Sequence, residues 1–202
     1  MVSSRLKKRF QKIVETRITL LTKTGITPNI LTLLGLTVSL LTGYLILAWR
    51  MNPFILPLCG VLVLLSGFID AVDGILARTT GRVTVFGGFL DSLSDRYSDM
   101  IILSAVTLSG LITPIYGLAA IVGSFMVSYS RAKSEAAGVD MSGVGIAERA
   151  ERMIIFALAF IMAFFFLEVL DWSILLLAVL SNFTVLQRGA HFLRESTGHS
   201  ST

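Results

Sequence analysis

Apolar residues follow one another along this chain in long, nearly unbroken stretches, not in the alternation of a half-buried strand. Six such stretches, at roughly 30–49, 54–78, 86–111, 115–137, 146–167 and 172–194, come close to or exceed the ~20 residues that a helix needs to cross a bilayer. The pattern predicts an all-α integral membrane protein: one continuous domain, 1–202, with six transmembrane helices across 30–194 and a tail at 195–202. Pro28, Pro53 and Pro114 stand where helices can begin. Over 1–29 the pattern changes. Leu6, Phe10, Ile13, Val14 and Leu21 recur at helical spacing among Arg5, Lys7, Lys8, Arg9, Lys12 and Arg17. This predicts an amphipathic helix lying on the membrane and held to anionic headgroups.

Composition agrees with that picture. The chain is 54% hydrophobic and 15% charged, where an ordinary soluble domain carries about 25% charged residues. A water-soluble enzyme, a nucleic-acid binder and a disordered chain are thereby excluded. Seventeen basic residues against thirteen acidic ones give a net charge of +4, which in a lipid-embedded chain speaks for cytoplasmic anchoring. The amino end, the turn holding Arg78 and Arg82, the connection holding Arg131, Lys133, Arg149 and Arg152, and the tail with Arg188 and Arg194 share one side. The other side has Arg50, Glu168 and Asp171. Both termini are therefore expected in the cytoplasm, the protein being multi-pass in the cytoplasmic membrane. Cys59 is the single cysteine, so no intramolecular disulfide forms. Residues 1–29 lack a short apolar core with a small-residue cleavage site, so the amino end is expected to be retained.

Five acids break the apolar pattern: Asp70 and Asp73 in the second stretch, Asp91, Asp95 and Asp99 in the third. A charge at membrane depth costs ~2.5 to 3.5 kcal/mol on insertion scales. Spacings of three and four place each set on one helical face. Asp70 lies sixteen residues in from Phe54 and Asp95 sixteen back from Leu111, so at a rise of 1.5 Å per residue both stand ~24 Å from the outer ends of their helices. The faces meet at one level near the cytoplasmic interface. Carboxylates converging there call for divalent cations between them, and oxygen-only ligands select Mg²⁺, Mn²⁺ or Ca²⁺. A pair of such ions can clamp a pyrophosphate, which points to phosphoryl chemistry. Gly74, Ala77, Gly87 and Gly88 add small residues that let a base or phosphate approach the backbone.

The string D70-A-V-D73-G74-I-L-A77-R78, eight residues, then G87-G-F-L-D91-S-L-S-D95 resembles the signature of the CDP-alcohol phosphotransferase family, with eight fixed identities over twenty-six residues. A surface helix followed by six spans is similar to the family's architecture. The resemblance implies transfer of a lipid phosphatidyl or archaetidyl group from CDP-diacylglycerol or CDP-archaeol to an acceptor hydroxyl, with release of CMP. It implies that Asp70, Asp73, Asp91 and Asp95 bind two divalent cations (Mg²⁺ or Mn²⁺), and that Asp95 is also the general base. Asn29, Thr32, Gly74, Ala77, Arg78, Thr84 and Gly87 match the donor-binding positions. It further suggests a homodimer, with membrane lipids and no nucleic acid as partners.

The runs S128-Y-S-R131-A-K133-S-E135, G145-I-A-E148-R149-A-E151-R152 and Q187-R188 are similar to the inositol-phosphate branch of the family, the phosphatidylinositol-phosphate and archaetidylinositol-phosphate synthases. The likeness makes Arg131, Arg152 and Arg188 the acceptor-phosphate ligands, with Lys133 and Arg149 as further candidates. The family usually has lysine where this chain has Arg131, which keeps the charge but offers a planar fork. Inositol phosphate calls for convergent guanidinium groups; free inositol does not. Other readings are glycerol phosphate, serine or another alcohol as acceptor, a divalent cation transporter, and a metal-dependent prenyltransferase. A transporter calls for internal repeats or broken helices, neither of which the sequence shows, and a prenyltransferase does not call for the D-G-x-x-A-R string. The basic residues could serve only as membrane anchors, and Asp95 or Asp99 could pair with Arg96. Phe164, Phe165 and Phe166 read as lipid-facing bulk, and His191 and His199 as surface residues.

Overall fold

The computed structural model describes residues 25–146 and 148–199, with side chains to 196. The expected surface helix falls almost wholly on 1–24, outside the described residues. Six α-helices follow in order: α1 (Pro28–Leu47), α2 (Ile55–Thr79), α3 (Val85–Leu108), α4 (Pro114–Ala136), α5 (Arg149–Met162) and α6 (Glu168–His199). A short 3₁₀ turn, Trp49–Met51, joins the first two. Among the described residues there is no strand.

Local chemistry explains where these helices start and stop. Pro28 and Pro114 occupy first-turn positions of α1 and α4, where a missing N–H costs nothing. The Thr84 hydroxyl caps α3 by accepting from the Gly87 N–H at 2.9 Å. At the end of α2, Gly81 takes φ +66°, its N–H donates to the Arg78 carbonyl at 3.4 Å, and Arg82 N–H donates to Ala77 at 3.0 Å. This glycine-dependent closure turns the chain back into α3 and swings Arg82 over the end of α2. Gly138 closes α4 in the same way, at φ +84°.

The helices close a ring. α1 packs on α2 and α3, α2 on α5, α5 on α6, α6 on α4, and α4 on α3. The inward face of α1 carries Thr32, Gly35, Ser39, Thr42 and Gly43, while Leu33, Leu40, Tyr44 and Leu47 point outward. Ser39 and Ser66 hydroxyls meet at 2.9 Å between α1 and α2, and Ser66 also donates to the Gly35 carbonyl at 3.1 Å. Small and hydroxylated residues inside with large apolar ones outside is the arrangement of helices packed in lipid, and the protein is an all-α integral membrane protein. α1, α2 and 168–196 of α6 are each long and apolar enough to cross a bilayer.

The fifth stretch is shorter than its expected bounds. Instead of 146–167 its helix is Arg149–Met162, fourteen residues or about 21 Å. Gly143 and Gly145, at φ +72° and +117°, hold the preceding chain as a turn, and Ala163 to Phe166 turn again before α6. α6 runs correspondingly further, from 168 to 199. One end of the ring is filled by an apolar core that includes Ile46, Val63, Val106, Phe160 and Ile174. Toward the other end, where α2 and α4 finish and α3 and α5 begin, the described residues Leu31, Ile69, Val72, Ile75 and Leu76 form a small cluster. The aspartates stand there.

Candidate active site

Asp70 on α2 and Asp91 and Asp95 on α3 each present a carboxylate oxygen, all lying within 4.8 Å of one another. Asp95 Oδ1 is buried and makes no aligned hydrogen bond, its near neighbour being the Arg149 guanidinium at 2.7 Å. Three converging carboxylate oxygens are the donor set that a hard divalent cation takes. Asp73, expected in the same cluster, stands beside it. It is 4% exposed, and its Oδ2 accepts from the Thr32 hydroxyl of α1 at 2.5 Å. Thr32, expected at the donor, thus also tethers this carboxylate.

A cavity of about 270 Å³ opens on one side of the carboxylates. All seven positions matched to the donor line it: Asn29 and Thr32 from α1, Gly74, Ala77 and Arg78 from α2, Thr84 and Gly87 at the start of α3. Asp73 and Asp91 complete its wall, and so does Arg82, which sequence reasoning did not assign to the site. A basic residue just past a helix-ending glycine was the signal for it. The site is tight at Gly87, where a Cβ would come within 3.0 Å of Thr84 Oγ1 and 3.2 Å of Asn29 Oδ1.

A second cavity of about 190 Å³ opens on the other side, lined by Asp95 and Asp99 of α3, Arg131 of α4, Arg149 and Arg152 of α5 and Arg188 of α6. Four of the five expected basic residues therefore meet there. Lys133 does not: it is exposed and is absent from the lining, because two helical positions from Arg131 carry it some 200° around α4. Arg131 is itself exposed and pairs with Glu135 at 2.7 Å, one turn along the same helix.

The buried arginines are fixed by specific partners. Arg152, 3% exposed, places Nη2 2.6 Å from Asp99 Oδ2, which also accepts from the Ser124 hydroxyl at 3.1 Å. Arg188, equally buried, donates Nε to the Val144 carbonyl at 2.9 Å and Nη1 to the Val127 carbonyl. It thereby ties the turn before α5 to α4. Arg149 Nη1 lies 2.7 Å from Asp70 Oδ2 and 2.7 Å from Asp95 Oδ1, and its Nε lies 3.8 Å from Asp99 Oδ1. Pairing of Asp95 with Arg96, the alternative read from the sequence, is looser, at 4.0 Å. The Asp99–Arg152 and Arg149 pairs were missed. The signal was Asp99 itself, an intramembrane acid that requires a buried partner.

The arrangement has two compartments and one shared wall. Asp91 faces the first cavity, Asp95 faces the second, and Asp70 joins both in the cluster. Such a wall can hold a phosphorus centre between a bound donor and an incoming oxygen. Outside it, His191 is half-buried and lies 3.3 Å from the Asp140 carbonyl through Nε2, and it is absent from the lining of both cavities.

Comparison with known proteins gives the same direction. The archaetidylinositol phosphate synthase of Pyrococcus horikoshii is 43% identical over 164 residues, covering 81% of this chain and 82% of that protein. The phosphatidylinositol phosphate synthase of Corynebacterium glutamicum is 36% identical over 165 residues, 74% of this chain and 69% of that protein. The fold matches the phosphatidylinositol phosphate synthase of Mycobacterium tuberculosis in two crystal structures. With manganese and citrate the TM-score is 0.77 at 29% identity, covering 89% of this chain and 88% of the other. With CDP-DAG bound it is 0.76 at 30% identity, covering 90% and 94%. The profile of the CDP-alcohol phosphatidyltransferase family matches residues 25–185, and with the signature carboxylates gathered between two cavities, the chain belongs to that family.

Proposed function

We propose that this protein transfers a phosphatidyl or archaetidyl group from a CDP-linked lipid to inositol phosphate and releases CMP. The observation that carries this reading is the pair of cavities sharing one carboxylate wall, the second of them lined by five arginines, Arg96, Arg131, Arg149, Arg152 and Arg188. It is supported by the inositol-phosphate specificity named for relatives that are 43% and 36% identical. CDP-diacylglycerol or CDP-archaeol would enter the first cavity, its nucleotide against Gly74, Ala77 and Gly87 and its phosphates near Arg78 and Arg82. Inositol phosphate would enter the second, its phosphate facing Arg131, Arg152 and Arg188, where guanidinium groups from three helices supply fork-shaped donors.

Asp95 is the catalytic residue in this reading. Its carboxylate lines the acceptor cavity, with Oδ1 2.7 Å from Arg149 Nη1, and takes the proton of the attacking inositol hydroxyl. The hydroxyl oxygen bonds to the lipid-side phosphorus, the bond from that phosphorus to the bridging oxygen breaks, and CMP leaves with the electron pair. Two divalent cations, Mg²⁺ or Mn²⁺, held by Asp70, Asp73, Asp91 and Asp95, would supply charge neutralisation at the pyrophosphate. Asp73, fixed by Thr32, keeps a carboxylate at the donor side of the wall. The small residues at 74, 77 and 87 let the backbone lie close to the nucleotide.

We further read the whole chain as one domain of six membrane helices with its site at the cytoplasmic face, and as a homodimer. The orientation is supported by Arg78, Arg82, Arg131, Arg149 and Arg188 lying toward one end of the ring, with Arg50 at the other. The test of function is CMP release by the purified protein with CDP-diacylglycerol and CDP-archaeol against a panel of acceptors. Fastest transfer to inositol phosphate is expected. Faster transfer to glycerol phosphate, serine or free inositol would overturn the acceptor, and no CMP release with any of them would overturn the reaction.

A further inference from the structure

Arg149 is the basic residue that reaches furthest into the carboxylate cluster. Its Nη1 donates to Asp70 Oδ2 at 2.7 Å and stands 2.7 Å from Asp95 Oδ1. These belong to two of the three residues whose oxygens converge as a cation site. The same guanidinium lines the acceptor cavity, and its Nε faces Asp99 Oδ1 at 3.8 Å. One side chain therefore touches both the cation ligands and the acceptor compartment. A positively charged nitrogen and a divalent cation cannot be held by the same two carboxylates without strong repulsion. Asp99 offers the guanidinium a second anchor that a cation would leave in place.

We propose that Arg149 is an exchangeable counter-cation, which neutralises Asp70 and Asp95 and is passed to Asp99 and the acceptor cavity when a divalent cation takes those carboxylates. Cation binding and completion of the acceptor's phosphate site are then one event, and the order is cation first, acceptor second. The device also spares the bilayer-level site several unpaired carboxylates, each costly at that depth. This inference rests on the reading of the aspartates as a cation site.

The experiment measures Mn²⁺ affinity of the purified full chain in lipid nanodiscs, by the spin-resonance signal of free Mn²⁺, for the wild type, Arg149→Met and Arg149→Lys. Removing the competitor should tighten Mn²⁺ binding on the order of tenfold, the scale of coupling between two ligands of one site. Arg149→Lys, which keeps the charge, should stay nearer the wild type. Unchanged or weaker binding in Arg149→Met would overturn the proposal, since a guanidinium that merely braced the ligands would leave a poorer site when lost. Absence of Mn²⁺ binding by the wild type would remove the cation site and this inference together. Should Arg149→Met fail to fold, the wild type alone decides through isotope-labelled arginine. The Arg149 Nε resonance is expected to move as Mg²⁺ is added, and a resonance that stays in place refutes the exchange.

Discussion

Replacing Asp99 by asparagine should unfasten the acceptor cavity while leaving the signature carboxylates untouched. Asp99 is 9% exposed and Arg152 3% exposed, and their 2.6 Å pair joins α3 to α5. Asparagine keeps the volume and can still hydrogen-bond Ser124, but it leaves the Arg152 charge facing a neutral amide. Breaking a buried pair by removing one partner costs about 3 to 5 kcal/mol, and the retained hydrogen bond sets the expectation near the low end. For a chain of this size each kcal/mol lowers Tm by roughly 2 to 4 °C, so a fall of roughly 6 to 12 °C follows. The protein carries its own reporter. Cys59 is the single cysteine and is fully buried, so a thiol-reactive dye reads unfolding directly. Below the new Tm, the apparent KM for inositol phosphate should rise more than that for the CDP-lipid, because the charged contact that joins Arg152 to α3 is gone. A Tm within 2 °C of the wild type together with an unchanged acceptor KM would refute both the energetics and the placement of Arg152.

Three further outcomes are expected. Asp95→Asn should still bind the CDP-lipid in an equilibrium assay yet lose transfer by about two to four orders of magnitude, the range for a lost general base; near-normal turnover would remove Asp95 from that role. Activity should vanish on chelation with EDTA and return with Mg²⁺ or Mn²⁺, and full turnover in a metal-free preparation would count against the carboxylate site. Gly87→Ala places a Cβ 3.0 Å from Thr84 Oγ1, inside the donor cavity, so the KM for CDP-lipid should rise severalfold at unchanged acceptor KM; an equal effect on both substrates would mean that the cap of α3, not the cavity, had been disturbed.

The aspartates were legible because lipid makes them conspicuous: an acid amid leucines must be doing something, and spacings of three and four fixed their faces. The seven positions that the family resemblance matched to the donor all line one cavity. What the sequence did not carry was the pairing between distant helices. Arg149 and Asp70 are 79 positions apart, and nothing in either stretch announces the other. The separation of Asp73 from the triad was equally hidden, since it depends on Thr32 reaching across from α1. Lys133 stands outside the cavity for a geometric reason, since two positions along α4 turn it away from the side that Arg131 occupies. The bounds of the fifth helix were missed because Gly143 and Gly145 act through backbone conformation, which hydrophobicity does not report.

The two cavities differ in the solvent their substrates come from, and their walls follow that difference. The donor is a lipid already in the bilayer, and its cavity mixes Pro28, Ala77 and Val83 with glycines and only two arginines, Arg78 and Arg82. The acceptor is water-soluble and doubly anionic, and its cavity is charged nearly throughout, with Asp95, Asp99 and Glu148 interleaved among the arginines. A cluster of arginines alone would attract any anion, CMP and phosphate included, and would repel its own neighbours. Interleaved carboxylates hold Arg149 and Arg152 in place and keep the net charge of the compartment low. Binding there must then come from geometry, from fork-shaped donors fixed by Asp99 and by the carbonyls of Val127 and Val144, and not from bulk positive potential. A site built that way should discriminate among phosphate-bearing acceptors by where their hydroxyl falls relative to Asp95. That is the property a synthase needs if it is to choose inositol phosphate over smaller phosphoalcohols.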